Sequence, residues 1–200
     1  MKAKKHKTSD PSRDIAPAPV SAKIVITGAP RAGTTAFIGT VSDFIASTPP
    51  YAEPDRSAPT DGPHAGCPNA HATTVMDVGR ITLAQDLVLL LFGITGAGVL
   101  RDEVAQGAAG AVILIAPGHE SAGLAAIDYF DKYAIPYVVA VPVTDHETAP
   151  HKDLRAELRL PDRTVITATD VHARESARAV LTTLITHALA DRAHRPTPTV

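Results

Sequence analysis

The sequence contains little that points to secretion, a membrane or nucleic acid. Cys67 is the single cysteine among 200 residues, so no disulfide can form within the chain, which favours a reducing cytoplasm. Residues 1–20 lack the apolar core of a secretory signal, and the most apolar runs, 87–92 and 108–117, are far shorter than the ~20 residues of a membrane helix. Aromatic residues make up 4% with no tryptophan, which disfavours a stacking platform for single strands. We expect a cytoplasmic protein with no membrane span and no nucleic-acid partner.

Charge gives no strong pull toward a partner either. The formal net charge is −2, too small to attract nucleic acid or membranes in general. Residues 1–20 contain five lysine and arginine residues against two aspartates, so the rest of the chain is mildly acidic. We interpret the basic start as a solvated, disordered tail.

What the sequence does contain is an alternation of strand-like and helix-like segments. A helix is predicted from Thr34 to the prolines at 49 and 50, with Phe44 and Ile45 on its apolar face. Only three residues, 84–86, separate two strand-like runs, which indicates an antiparallel pair. The alternation predicts an α/β fold with a six-stranded, mostly parallel sheet, one antiparallel edge hairpin and helices on both faces. The predicted strands are 23–27, 74–83, 87–92, 111–116, 137–141 and 164–167; the later helices are 121–133, 152–159 and 172–189.

These segments place one domain between two tails. We assign residues 1–20 to the basic tail, 21–190 to the domain and 191–200 to a C-terminal tail. Within the domain, residues 48–72 hold six of the 17 prolines. A loop of that length in a compact domain is usually functional or disordered.

The loop after the first predicted strand is the most informative motif. Gly28 and Gly33 are separated by four residues and followed by Thr34 and Thr35. Apart from one position, this matches the P-loop pattern G-x-x-x-x-G-K-[ST] between a strand and a helix. Thr34 stands at the lysine position. A plain turn that needs glycine is the alternative reading.

The loop keeps some of the groups that bind a nucleotide in a P-loop and lacks the lysine. The glycines allow the backbone to wrap a phosphate, the helix start supplies N–H donors, and Thr35 stands where a hydroxyl would coordinate Mg²⁺. The lysine would contact the β- and γ-phosphates, and a charge-assisted hydrogen bond contributes roughly 1.5–3 kcal/mol. Its loss should weaken nucleotide binding by about ten- to over a hundred-fold. Arg31 is a candidate replacement.

The order of segments resembles a Ras-like small GTPase. More narrowly, it resembles the MglA-like GTPases encoded in actinobacterial conservon operons. Residues 73–83 (TTVMDVGRITL) and 86–93 (DLVLLLFG) carry the resemblance most specifically, and 107–112 and 136–141 also fit. The resemblance covers about 21–190 and implies the three-layer sandwich of a P-loop NTPase.

Several family roles carry over by resemblance. Thr73 or Thr74 matches the switch I threonine that senses Mg²⁺ and the γ-phosphate, Gly96 matches the switch II glycine, and Asp145 matches the aspartate that reads guanine. Thr35 and Thr74 are thus the expected metal ligands, and no residue is assigned as catalytic. The expected nucleotide-binding residues are Gly28, Ala29, Pro30, Arg31, Ala32, Gly33, Thr34, Thr35, Thr74, Gly96 and Asp145.

Other family positions have lost their chemistry. Ala97 stands where the family has the glutamine that orients the attacking water, and Pro142 stands where it has the asparagine of the base-recognition motif. With Thr34 in place of lysine, phosphate grip, hydrolysis and base recognition are each affected. We therefore expect a degenerate member, a pseudo-GTPase without productive GTP turnover and with no cofactor bound at high affinity.

Two function classes follow. In the first, the chain acts through protein contacts, and the resemblance implies a roadblock-type partner and a sensor-kinase-like protein of the same conservon. In the second, it is a working GTP/GDP switch with Mg²⁺, a divergent P-loop and partner-assisted hydrolysis. A P-loop transferase or ATPase remains a third class.

Three further patterns suggest other features, each less strongly than the loop suggests a P-loop. His64, Cys67 and His71 could ligate zinc, although zinc takes about four ligands. The residues at 118–123 approach a nucleophile elbow but carry His119 in place of glycine. The small residues at 107–111, after Leu100 and Val104, are predicted to form a switch II helix.

Overall fold

The computed structural model describes residues 20–47, 75–95, 102–143, 151–158, 160–162 and 164–194. The strands are β1 (Val20–Gly28), β2 (Phe44–Ser47), β3 (Val75–Ala84), β4 (Leu87–Thr95), β5 (Ala108–Leu114), β6 (Tyr137–Pro142) and β7 (Val165–Thr169). The helices are α1 (Thr34–Val41), α2 (Asp102–Ala105), α3 (Glu120–Lys132), α4 (His151–Glu157) and α5 (Arg174–His194).

The described strands form one seven-stranded sheet in the order β2-β3-β4-β1-β5-β6-β7. From β4 to β7 every neighbouring pair is parallel, whereas β2–β3 and β3–β4 are antiparallel. The β3–β4 hairpin turns at residues 85–86, as its short connection predicts. Because the parallel strands share a direction, their carboxyl ends lie along one edge of the sheet.

Helices cover both faces of this sheet. Apolar residues of α1 and α5, among them Phe37, Ile38 and Leu181, form one core with β-strand residues. Residues of α3, including Ile127 and Phe130, form a second core on the opposite face. The buried strands carry apolar side chains toward both cores, as expected of a parallel sheet covered on two sides. The predicted three-layer α/β fold is confirmed.

The residues after α1 correct the prediction of a longer helix and of six strands. Helix α1 ends at Val41, and Ser42 has extended dihedral angles (φ −76°, ψ 146°). The Asp43 N–H then donates to the carbonyl of Arg80 at 2.8 Å, which starts β2 along β3. Pairing with β3 satisfies the β2 backbone, a gain that the apolar spacing alone does not reveal. The β3–β4 hairpin consequently lies inside the sheet edge.

The helix predicted around residues 100–111 is also shorter than expected. Among the described residues it comprises only α2, and Ala108 already begins β5. The Lys23 ammonium donates to the carbonyls of Glu103 and Gln106 at 3.0 and 3.1 Å, which satisfies carbonyls at the helix end. Gly107 turns the chain with φ 73°. Residues 107–111 therefore form the end of a turn and the beginning of β5 and not a helix.

The chain ends differ slightly from the predicted boundaries. Val20, the last residue of the predicted basic tail, already begins β1, and α5 continues to His194 although a tail is predicted from 191. Residues 1–19, 195–200 and all of 48–72 lie outside the described residues. None of the described helices has the length and apolarity needed to cross a membrane.

Candidate functional site

The loop between β1 and α1 lies at the carboxyl-end edge of the sheet. Gly28 is the last residue of β1 and pairs with Leu114 at the end of β5. The ends of β6 and β7 reach the same edge, where Pro142 pairs with Thr169. In open α/β sheets this edge is where ligands bind. The structure thus places the predicted loop where the fold favours a site.

The first half of the loop is a tight turn. The Ala32 N–H donates to the Ala29 carbonyl at 3.0 Å, and Arg31 has φ 71° after Pro30. A proline followed by a positive φ, closed by this hydrogen bond, is typical of a type II turn. Arg31 is exposed, so its guanidinium is accessible to a ligand.

Both loop glycines have packing reasons of their own. A Cβ at Gly28 would lie 2.7 Å from the carbonyl oxygen of Leu114. Gly33 has φ 92°, and a Cβ there would lie 3.0 Å from Val171. Residues other than glycine rarely adopt that φ. The glycine spacing therefore fits the turn as well as a phosphate cradle and does not prove a ligand.

The beginning of α1 presents backbone donors. Gly33 is the N-cap and supplies no side-chain hydrogen bond. The helical bonding begins with the Phe37 N–H, which donates to the Gly33 carbonyl at 2.8 Å. The first N–H groups of a helix have no partner inside it, and such donors favour an anion.

Thr34, at the position of the lysine, is not suited to binding an anion. Its side chain is 2% exposed, and within the described part of the chain its hydroxyl has no hydrogen-bond partner. Its methyl group lies near the backbone of Gly93, 3.2 Å from where a Cβ would stand. The position therefore supplies no positive charge to the loop.

Thr35 is different, because its hydroxyl has a charged partner. It donates to an Asp77 carboxylate oxygen at 2.6 Å. Asp77 lies on β3 and is 1% exposed. Among the residues that the structure describes, no lysine, arginine or histidine forms an ion pair with it. The pair joins a hydroxyl in the first turn of α1 to a buried carboxylate on β3.

Asp77 is the site residue that the sequence analysis missed. It lies within residues 73–83, which carry the resemblance, but no role is predicted for it there. A signal was present: β3 alternates, and Asp77 shares its inward face with Gly79 and Ile81. A charged residue on a buried face is rare unless it has a partner, so alternation alone singles it out.

The chemistry of the donors shows whether Mg²⁺ and a phosphate would fit this site. Mg²⁺ prefers oxygen ligands and is often held by one or two protein oxygens plus phosphates and water. Thr35 and Asp77 supply such oxygens, and the uncapped start of α1 supplies anion donors. The residues fit a cation and leave a phosphate without the lysine it needs for tight binding.

Pro142 has no side-chain amide with which to contact a base. It ends β6 beside Thr169, and the neighbouring Val143 N–H donates to the Thr169 carbonyl at 2.9 Å. Proline has neither an N–H nor a side-chain amide to offer a base. Pro142 therefore lies at the same end of the parallel strands as the loop between β1 and α1.

Several predicted residues lie outside the described residues. These are Thr74, Gly96 and Asp145 of the nucleotide site, and Ala97. The candidate zinc ligands fall in the same undescribed part: His64, Cys67 and His71. Over the described ranges, no group of three or more histidine, cysteine or acidic side chains could hold a metal ion.

The turn before α3 disfavours the hydrolase alternative. The Gly118 N–H donates to the Glu120 carboxylate at 2.7 Å, so this backbone donor is already engaged. Hydrogen bonds from the backbone N–H groups of Glu120 and Gly118, with a smaller effect of His119, hold the pKa of Glu120 below its ordinary value. The carboxylate stabilises the turn.

A cavity of about 730 Å³ lies at the other end of the sheet. It is lined by the beginning of β5 and the ends of α2, α3 and α5, and includes Asp102, Tyr133 and Arg192. Its size suits a small ligand. The loop lies at the opposite ends of the strands, so the cavity is separate from the site described above.

Comparison with solved structures supports the fold. The chain is similar to the cytosolic domain of the T. maritima FeoB iron transporter in a GDP form, with TM-score 0.52 and 12% identity, covering 90% of this chain and 68% of that one. The G domain of the same transporter is 12% identical, and the match covers 86% of this chain and 99% of that one with a TM-score of 0.49. At such identity the likeness shows the fold alone, a Ras-like α/β fold. No family model and no curated protein match the sequence.

Proposed function

We propose that the chain is a pseudo-GTPase, a G-protein-like module that acts through contacts with partner proteins. The fold of a P-loop GTPase is retained, whereas the groups that grip phosphate and read a base are replaced. The observation that carries the proposal is Thr34: at the lysine position stands a buried, uncharged side chain. Pro142, at the end of β6, supports the proposal from the same end of the parallel strands.

The partners come from the resemblance to conservon GTPases. We propose a roadblock-type protein as the direct partner and a sensor-kinase-like protein upstream, in a bacterial signalling complex. The MglA-like assignment rests on residues 73–83 and 86–93. The cytoplasmic location stays a prediction.

Direct titration with nucleotide tests the pseudo-GTPase proposal. Isothermal titration calorimetry with GTP, GDP and ATP in Mg²⁺, on protein first checked for retained nucleotide, should show no binding at about 100 μM protein. Micromolar or tighter affinity for GTP would contradict the proposal. With binding absent, pull-down with purified roadblock-type proteins is the next measurement.

A working GTP/GDP switch is the second candidate function. It is favoured by the Thr35–Asp77 pair and by the uncapped start of α1. Mg²⁺ bound there would screen phosphate charge, while Arg31, exposed in the turn, would stand in for the lysine. Guanine-selective binding that is abolished by Arg31→Ala would favour this candidate. The control is Arg80→Ala, which removes an exposed arginine of β3 and should leave binding intact.

A further inference from the structure

The cavity of about 730 Å³ at the amino ends of the parallel strands continues into a second hollow. The second hollow has a volume of about 290 Å³ and shares with the first the residues 134–136 and Asp191. Because the two adjoin along these residues, we treat them as one groove. Its size lies in the range of small-molecule sites, and the loop between β1 and α1 does not line it.

Three carboxylates are spread along this groove. Asp102 lines the larger cavity, Asp131 lines the smaller one, and Asp191 lines both. The described linings also hold Arg192 and His187, so carboxylates outnumber cationic side chains even when His187 is protonated. The carboxyl-terminal ends of α3 and α5 reach the same groove and add partial negative charge. The groove therefore favours a positively charged ligand.

The wall of the groove already holds ammonium groups of the chain itself. The Lys23 ammonium donates to the carbonyls of Glu103 and Gln106 at 3.0 and 3.1 Å, and Gln106 lines the larger cavity. The ammonium of Lys132 lies 5.0 Å from the centre of the Tyr133 ring, which lines the same cavity. Carbonyls and an aromatic face thus contact ammonium groups at this end of the molecule.

The rest of the lining is largely apolar. Ala134, Ile135 and Pro136 line both parts of the groove, and small residues of β5 and α5 line the larger part. At its rim the Tyr133 hydroxyl donates to one oxygen of Asp102, which holds the carboxylate in place. A carboxylate can accept several hydrogen bonds, so Asp102 can also bind a ligand. The groove thus combines separated negative charges with apolar surface.

We propose that this groove binds a linear aliphatic polyamine, a molecule in which ammonium groups are separated by methylene chains. The ammonium groups contact Asp102, Asp191 and Asp131, and the methylene chains pack on residues 134–136. A triamine binds more tightly than a diamine, because the third ammonium meets a further carboxylate. The inference goes beyond the proposed function, since the groove lies at the opposite end of the strands from the loop and binds its ligand whether or not nucleotide binds.

Calorimetric titration of the full-length chain with polyamines tests this proposal. We expect one site for the triamine spermidine, weaker binding of the diamine putrescine, and no measurable binding of 1,4-butanediol, which has the length of putrescine without its charges. Asp102→Asn keeps an acceptor for the Tyr133 hydroxyl and removes the charge, so spermidine should bind about three- to tenfold more weakly. Asp128→Asn removes an exposed carboxylate of α3 outside the groove and should leave the affinity unchanged.

A second pair of variants tests the shape of the groove without changing charge. Ala188→Leu places a larger side chain in the larger cavity and should weaken spermidine binding at least about tenfold. Ala190→Leu adds the same atoms at an exposed position of α5 outside the groove and should not. Circular dichroism establishes that each variant is folded.

Absence of a spermidine site in the wild-type chain overturns the proposal. Equal weakening by Asp102→Asn and Asp128→Asn also overturns it, because the attraction would then be one of overall charge. Unchanged affinity in Ala188→Leu would place the polyamine elsewhere, with the same consequence. None of these titrations contains nucleotide, so the groove and the pseudo-GTPase proposal can fail independently.

Discussion

Two adjacent threonines at the start of α1 have opposite environments. Thr34 is buried with a hydroxyl that has no partner in the described part of the chain, whereas Thr35 is exposed and bonds Asp77. A buried hydroxyl without a hydrogen-bond partner destabilises the fold, whereas a hydroxyl that donates to a buried carboxylate stabilises it. The same side chain therefore has opposite effects on stability at neighbouring positions.

Replacing each threonine by valine tests this contrast, because valine keeps the shape and removes the hydroxyl. We expect Thr34→Val to raise the free energy of unfolding by about 1 kcal/mol and Thr35→Val to lower it by about 1–3 kcal/mol. Urea unfolding without nucleotide or metal measures both. A loss of stability in Thr34→Val would show that the hydroxyl has a partner in solution.

Gly33 offers a second prediction, with Gly107 as its control. Both have positive φ, but a Cβ at Gly107 meets nothing within 4 Å, whereas one at Gly33 meets Val171 at 3.0 Å. Gly107→Ala should cost about 1 kcal/mol from backbone strain alone, and Gly33→Ala about 1 kcal/mol more from the contact. Equal losses in urea unfolding would mean that Val171 moves aside freely.

At this scale the sequence predicts the loop but not its partner. The glycine spacing and Thr35 locate the site because a strand-loop-helix pattern is local. Asp77 lies in a different element and reaches Thr35 only through the pairing of β3 with β4. Such a contact depends on register, which the motif does not contain.

At the scale of elements, β2 shows where spacing misleads. Phe44 and Ile45 continue the apolar spacing of α1, yet their side chains are 65% and 41% exposed on a strand. Aromatic and β-branched residues also suit strands, so the pattern alone supports either structure. The pairing with β3 decides, and it is a long-range contact.

The turn into α3 gives a prediction on pH. Backbone hydrogen bonds lower the pKa of Glu120 in the folded chain from its ordinary 4.5, so the ionised carboxylate stabilises the fold above pH 4.5, and this contribution is lost as pH falls through the lowered pKa. Glu120→Gln should cost about 0.5 kcal/mol at neutral pH, and the cost should shrink on acidification.

Urea unfolding of wild type and variant across acidic pH measures this difference. Asp128→Asn, which removes an exposed carboxylate from the middle of the same helix, is the control and should show no comparable trend. A Glu120→Gln deficit that stays constant down to strongly acidic pH would contradict the role assigned to the charge.

At the scale of the molecule, the fold is more predictable than the function. Apolar strands covered by helices on both faces dictate a mainly parallel sheet, and the two cores confirm it. The ends of β1, β6 and β7 then meet at one edge whatever side chains they carry. A chain can therefore keep this α/β architecture whatever residues stand at positions 34 and 142.

Restoring the lysine tests whether the scaffold alone could still bind GTP. In Thr34→Lys the side chain must turn from its buried position toward the loop, where its ammonium would meet phosphate beside the amides of α1. A charge-assisted hydrogen bond of roughly 1.5–3 kcal/mol predicts that affinity for GTP with Mg²⁺ rises about ten- to a hundred-fold. Calorimetry measures the change, and Thr34→Met, long but uncharged, is the control. An equal gain in Thr34→Met would assign the effect to shape, and no gain in Thr34→Lys would mean that the loop no longer presents its donors to a phosphate.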